Sequence, residues 1–312
     1  MIIDAKNIDF GSYLEAHSFL EAGSIKNLSE FRDDVAEYSD TGDTINGAKM
    51  PWGKTEQFTR VCDGKLSIWA GVNGSGKSLM LGQVITGLMK QGRRAVIASL
   101  EMQPKQTIYR MICQSSTTRA SREYSLGWMD HFQNSLWIYD QLDRIAVNRV
   151  LGMACYAANE LGANDIVIDS LTKCGVGRDD YAAQATFVDR LQWCAKTWNV
   201  HIHLVCHMRK SNAPGHREGK NDIRGAAEIT DLADNVYIIR RNKAKEKQVE
   251  LMNADFGYDE EIVMQPCAYF GIEKNRDFGH ETEFGLWFDR LSGQYTDETN
   301  KKYPPLDVPY GC

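Results

Sequence analysis

The stretch Gly71-Val72-Asn73-Gly74-Ser75-Gly76-Lys77-Ser78 carries the clearest chemistry in this chain. It has the spelling G-x-x-x-x-G-K-[ST]. Glycines let successive backbone N–H groups curl around phosphate oxygens. A helix opening at Lys77 would turn its positive end toward them. The Lys77 ammonium can reach β and γ phosphates, and the Ser78 hydroxyl can ligate Mg²⁺. The chemistry is therefore that of ATP with Mg²⁺. The competing reading is a glycine-rich turn that caps a helix. A strand before the motif and a helix after it favour the phosphate loop.

Three more residues fall where such an enzyme needs them. Ile166-Val167-Ile168-Asp169 is an apolar strand ending in an acid. Placed beside the phosphate-loop strand, Asp169 would hold Mg²⁺ through water; otherwise it is a strand-end turn acid. Glu101 lies just past the strand Ala95–Leu100, and ligands sit at the carboxyl ends of parallel strands. It is the expected general base for the attacking water, against a plain solvated loop acid. His207 ends the strand His201–Cys206, where a neutral imidazole can sense the γ-phosphate by hydrogen bond. His201 and His203 share that strand, but no set of partner acids or cysteines is at hand to complete a metal site with them.

The elements that must position these residues alternate strand and helix. Strands are expected at Leu66–Ala70, Ala95–Leu100, Leu136–Tyr139, Asp165–Asp169 and His201–Cys206. Helices are expected at Lys77–Gln91, from Thr107 with breaks toward Phe132, at Arg144–Leu161 and at Ala182–Trp198. That alternation indicates a mostly parallel sheet flanked by helices, an α/β fold. Asn235–Arg240, Ile262–Met264, Tyr269–Glu273 and Leu286–Phe288 read as strands of an antiparallel C-terminal extension. Ahead of the core, Ser29 caps a short amphipathic helix running through Val35 and Tyr38, and a turn-rich stretch follows. Residues 1–45 therefore read as an arm and linker, and 46–312 as one domain.

Composition narrows the function classes. The 312 residues carry 36 Lys+Arg against 42 Asp+Glu, a net charge of −6, which excludes a basic coat over the whole surface but leaves room for a local basic channel. No apolar run approaches the roughly 20 residues needed to span a bilayer, and the N-terminus lacks a signal sequence, so a cytoplasmic location away from membranes is expected. Eight cysteines contain no C-x-x-C pair and read as reduced, buried thiols.

The motifs also fall in a telling order. GVNGSGKS is followed by SLEM, IVIDS, HLVCHMRKS, DIRGAAEITDLADNVYIIRRNK and IEKNRD. In this the chain resembles the RecA-like motor domain of hexameric replicative DNA helicases, the DnaB-like family, in the branch of phage primase-helicases and mitochondrial Twinkle. The resemblance covers about residues 45–290, and D-I-R-G-A-A-E-I-T-D-L-A-D is its most specific part. It implies an ATP-driven, Mg²⁺-dependent ring, a hexamer with ATP sites between subunits, that moves on single-stranded DNA and unwinds duplex during replication in a phage-infected host cytoplasm. Glu101 matches the family's catalytic glutamate, Asp169 its Walker B aspartate, and His207 the branch's histidine. Arg224-Gly225 falls in the last DNA-facing motif. Lys274-Asn275-Arg276 matches K-x-R, whose Arg is a finger for the neighbouring subunit's ATP. Residues 1–45 offer no room for a primase and are too short for DnaB's helical collar. Priming is thus expected on a separate primase, beside a polymerase, and the arm could dock on an adjacent subunit. The core alone fits two other readings: a filament-forming recombinase of the RecA type, or an RNA-packaging motor.

Local charge supports a nucleic-acid track. His207–Gly225 is rich in Gly, Asn, Ser and Pro, and carries Arg209, Lys210, Arg217, Lys220 and Arg224 against Glu218 and Asp222. A basic, flexible loop beside an ATP site suits gripping the phosphate backbone without reading bases; the plain alternative is a solvated surface loop. Lys173–Asp180 mixes Lys173 and Arg178 with two acids and is a weaker candidate. The run Arg240–Lys247 reads as a solvated hairpin or a contact at the nucleotide's edge.

Overall fold

Leu66–Gly71 (β1) is buried along its whole length. This is the mark of a parallel strand covered on both faces. The computed structural model describes residues 9–17, 27–41, 47–177, 179–209 and 216–308. Phe10–His17 (α1) and Arg32–Thr41 (α2) precede β1. Lys77–Met89 (α3), Ala95–Ser99 (β2), Pro104–Ser116 (α4), Arg122–Phe132 (α5), Leu136–Ile138 (β3), Val147–Asn159 (α6), Asp165–Asp169 (β4), Tyr181–Thr197 (α7) and His201–His207 (β5) complete the alternating part. Ala226–Leu232 (α8), Asn235–Arg241 (β6), Lys243–Asn253 (α9), Glu260–Met264 (α10), Ala268–Asn275 (β7), Thr282–Phe288 (β8) and Tyr295–Thr296 (β9) follow.

One nine-stranded sheet runs in the order β3-β2-β4-β5-β1-β6-β7-β8-β9. The first six are parallel, and β7 to β9 pair antiparallel. The α/β class and the antiparallel extension are as expected. Alternation along β1 feeds two cores. Leu66 and Ile68 face α6 and α7, where Phe187 and Leu191 pack. Trp69 faces α3 to α5 and the C-terminal strands, against Met80, Trp128, Tyr237 and Phe270. The α1 residues Phe10 and Leu14 are buried in the first core. Phe10 and Tyr13 both stack edge-on with Tyr156 of α6, so α1 lies on its own chain.

Several expectations need correction. Asp169 is not beside the phosphate-loop strand, because β5 lies between β4 and β1. Ile262–Met264 is helical. Asp259 caps α10, accepting from the N–H groups of Glu261 and Ile262, and two glutamates occupy the first turn. The basic run after β6 is no hairpin but the start of α9, capped by Asn242. At the N-terminus Asn27, not Ser29, is the cap: it starts a 3₁₀ turn, Leu28–Phe31, and Glu30 returns a bond to it. Among the described residues, no helix is long and apolar enough to cross a membrane.

Candidate active site

The phosphate loop leaves β1 and enters α3. Gly74 and Gly76 have φ of +78° and +93°, values that favour glycine. Gly76 also faces the Tyr295 hydroxyl so closely that a Cβ would collide with it. Lys77 is buried, and its Nζ donates to the carbonyls of Gly71 at 2.9 Å and Val72 at 3.1 Å. Burial holds its pKa below the ordinary lysine value, with Asp169 and Glu101 opposing. The Ser75 hydroxyl, buried between Gly71 and the helix, has no partner among the described residues.

Ser78 donates to Asp169 Oδ2 at 2.5 Å across β5. Asp169 is buried, and that burial raises its carboxyl pKa. A hydroxyl and a carboxylate side by side, short of cationic partners, form a hard oxygen pair of the kind Mg²⁺ takes when phosphates and water complete its shell. No group of three or more acids, histidines or cysteines is poised for a metal among the described residues. A nucleotide-dependent Mg²⁺ site needs none. The donor set therefore fits Mg²⁺.

Glu101, just past β2, accepts from Ser170 Oγ at 2.7 Å and lies 3.2 Å from His207 Nε2. The histidine contact, then the serine bond, outweigh partial burial and bring the Glu101 pKa down to about 2. His207 Nδ1 is buried without a partner among the described residues. Lys77, Ser78, Glu101, Asp169 and His207 thus share one cavity of about 940 Å³ at the carboxyl ends of the parallel strands.

The other candidates lie in different places. Arg224 stands in the wall of the phosphate cavity rather than out along the loop, its N–H bonded to the His207 carbonyl. Arg209 stacks on Tyr181 and donates to its hydroxyl at 2.7 Å. Lys220 pairs with Glu281 at 3.3 Å. Lys210 and Arg178 lie outside the described residues. Lys274 and Arg276 are absent from the phosphate cavity's wall. Lys274 Nζ donates to the carbonyls of Thr230 and Asp231, and Arg276 Nη2 to that of Asp231 at 2.6 Å, so both meet the end of α8.

Sequence reasoning missed Arg110 and Arg144, which line the cavity from α4 and the approach to α6. It also missed a second hollow of about 670 Å³ on the far side of the phosphate loop, walled by Leu79, Arg241, Phe288 and Tyr295. Arg241 donates to the Gly74 carbonyl at 3.2 Å. The RRNK run was the one signal, and the aromatic half of the wall lies far along the chain. His201 and His203 belong to a buried network with Ser67, Trp69 and Asp165 at the opposite end of the strands.

Fold and site together define a RecA-like P-loop ATPase core. Residues 56–297 match the family described as the DnaB-like helicase C terminal domain, and the chain belongs to that family. Among known proteins it is 24% identical over 251 residues to a DNA helicase/primase of Enterobacteria phage T3, covering 68% of this chain and 44% of the relative. It is 21% identical over 296 residues to the Twinkle homolog protein, chloroplastic/mitochondrial, of Arabidopsis thaliana, covering 87% and 39%. The chain thus spans less than half the length of these relatives. A solved structure of an ATPase domain superposes with a TM-score of 0.71 at 17% identity, covering 88% of this chain and 99% of that one. A DnaB-like replicative helicase, solved to show its interactions with primase, gives 0.70 at 16%, covering 86% and 68%. These likenesses establish the fold.

Proposed function

We propose that this chain is the ATP-hydrolysing motor of a ring helicase that moves along single-stranded DNA and separates duplex during replication. The observation that carries the reading is the convergence of Lys77, Ser78, Asp169, Glu101 and His207 on one cavity at the strand ends. Ser78 and Asp169 would hold Mg²⁺, which neutralises developing charge on the phosphates. Lys77 exchanges its two loop carbonyls for β- and γ-phosphate oxygens. Glu101 faces the attacking water. A carboxylate with a pKa of about 2 accepts a proton weakly, so it works mainly by aligning that water. His207, touching Glu101 and the chain leading to Arg224, reports the γ-phosphate to the basic loop. The hollow of Arg241, Phe288 and Tyr295 takes the base.

Arg209, Lys210, Lys220 and Arg224 act on DNA, and Arg276, with Lys274 beside it, acts on the ATP of the next subunit in a hexamer. Residues 1–45 serve as arm and linker to the ATPase domain of 46–312. Partners are single-stranded DNA, copies of the chain, and a separate primase and polymerase in the host cytoplasm. Family membership supports the ring motor over the filament-forming recombinase.

Strand displacement on a forked duplex with ATP tests the reading directly. Wild type should unwind and Lys77→Ala should not, while keeping its fold. Normal ATPase in that variant would remove the assignment, and open filaments rather than rings under the electron microscope would favour the recombinase.

A further inference from the structure

The basic loop and β7, which bears Lys274 and leads directly into Arg276, meet at one buried guanidinium. Arg240, in β6, is 7% exposed, where an unpaired cation would be costly. All three of its nitrogens donate. Nη1 donates to Glu283 of β8 at 2.5 Å, and Nη2 to Glu273 of β7 at 2.5 Å. Nε donates to the backbone carbonyl of Glu218 in the loop at 2.6 Å, and Nη2 donates to that carbonyl as well. Gly271 on β7 leaves room for it, since a Cβ there would lie 2.7 Å from Nη1. None of these partners lines the phosphate cavity.

Two loop cations rest on the same hairpin. Arg217 pairs with Glu283 at 3.0 Å, and Lys220 with Glu281 at 3.3 Å. Arg217 and Glu281 are exposed while Glu283 and Lys220 are partly buried, and such solvent-reached pairs are individually weak enough for phosphates to replace. The Arg240 contacts are sheltered, and breaking them would leave charge unpaired, so they hold. A rigid planar fork holds these three segments in fixed directions, which a flexible lysine ammonium does less well. Glu273, which Arg240 grips, is the immediate neighbour of Lys274 and three residues from Arg276.

We propose that Arg240 is a positioning residue that ties loop 216–222 to β7, so that DNA drawing Arg217 and Lys220 off the hairpin shifts β7, which carries Lys274 and leads directly into Arg276. DNA held by one subunit then sets hydrolysis at its neighbour. The inference rests on the reading of the loop as the DNA grip and of Arg276 as the finger.

The test is ATPase of wild type, Arg240→Gln and Arg240→Lys, without DNA and with a saturating thymidine oligonucleotide, alongside oligonucleotide affinity and thermal melting. Arg240→Gln should keep its DNA-free rate and bind the oligonucleotide within about fivefold of wild type, the reach of one exposed ion pair, yet lose stimulation. Arg240→Lys should recover part of it. Equal stimulation in wild type and Arg240→Gln would overturn the coupling alone. A DNA-free rate that falls in step with the stimulated one would make Arg240 merely structural and equally overturn it. Absence of stimulation in wild type itself would bring down the DNA-grip reading and this inference together. Should Arg240→Gln fail to fold, Glu273→Gln, which keeps shape and removes one carboxylate charge, makes the same comparison.

Discussion

Asp169, the proposed Mg²⁺ residue, works against its own fold. Burial raises its carboxyl pKa, with the Ser78 bond and Lys77 only partly opposing. Between the unfolded value, about 3.9, and the higher folded one, the native state binds more protons than the unfolded state. Stability therefore falls as pH rises through that window. Asp169→Asn should relieve the penalty. The nucleotide-free variant should melt higher than wild type at pH 7, by roughly 2–4 °C for about 1 kcal/mol of relief, and the difference should vanish as pH drops below about 4. Mg²⁺-dependent hydrolysis should be lost meanwhile. A variant that melts lower at pH 7 would show that the carboxylate supports the fold. The charge and hydroxyl pattern of this site was legible in sequence because 71–78 is one continuous turn, and strand-end acids announce themselves by the apolar residues before them. The base hollow was not, since Tyr295 and Phe288 reach the phosphate loop only through folding.

Among the elements, the β7–β8 hairpin holds the cations of the loop proposed to grip DNA. Glu281 offers Lys220 a carboxylate where DNA would offer a phosphate. Glu281→Gln should therefore tighten single-stranded DNA binding, by up to about fivefold, since an exposed pair is worth at most about 1 kcal/mol. Lys220→Ala should weaken it and reduce the slope of log affinity against log salt by about 0.7. Fluorescence anisotropy over a salt series reads both. A Glu281→Gln protein that binds like wild type would mean that Lys220 does not touch the strand. Most of β7 was legible as Tyr269–Glu273, but of β8 only the last three residues, Leu286–Phe288, were. α10 was not, because Ile262-Val263-Met264 alone has no period, and its helix follows from the cap at Asp259 and the acids after it. Nor could sequence put β5 between β4 and β1: strand order depends on which crossovers pack, and each strand reads alike as a short apolar run.

At the scale of the whole molecule, the proposed ring would borrow one residue per site from the next subunit, because its interface would be heterologous. Arg276 in the isolated chain rests on α8 and away from the phosphate cavity. Arg276→Ala should bind ATP almost normally and lose hydrolysis, by as much as roughly 10³–10⁵. Glu101→Gln should also bind and not turn over. Mixed, the two should regain ATPase, since a Glu101→Gln subunit can lend its arginine to an Arg276→Ala neighbour with a sound glutamate. A mixture as inactive as its parents, with subunit exchange shown by mass measurement, would falsify a finger acting between subunits.

The histidine network gives the sheet a fixed end. Ser67, Asp165, His201 and Asn235 stand at or next to the first residues of β1, β4, β5 and β6. There His201 bonds Ser67, which also accepts from Asn235, while His203 accepts from the Trp69 indole and meets Asp165, itself held by Arg93. Burial drives His201 down to about 3, so it stays neutral and its bond to Ser67 does not loosen as pH changes through the physiological range. Four neighbouring strands are therefore clamped at one end, with the ATP chemistry at the other. A beam fixed this way deflects at its free tip. In the proposed motor, work released at the phosphates would emerge at the loops beyond β4 and β5, toward the proposed DNA grip, and little would be lost to rocking of the base.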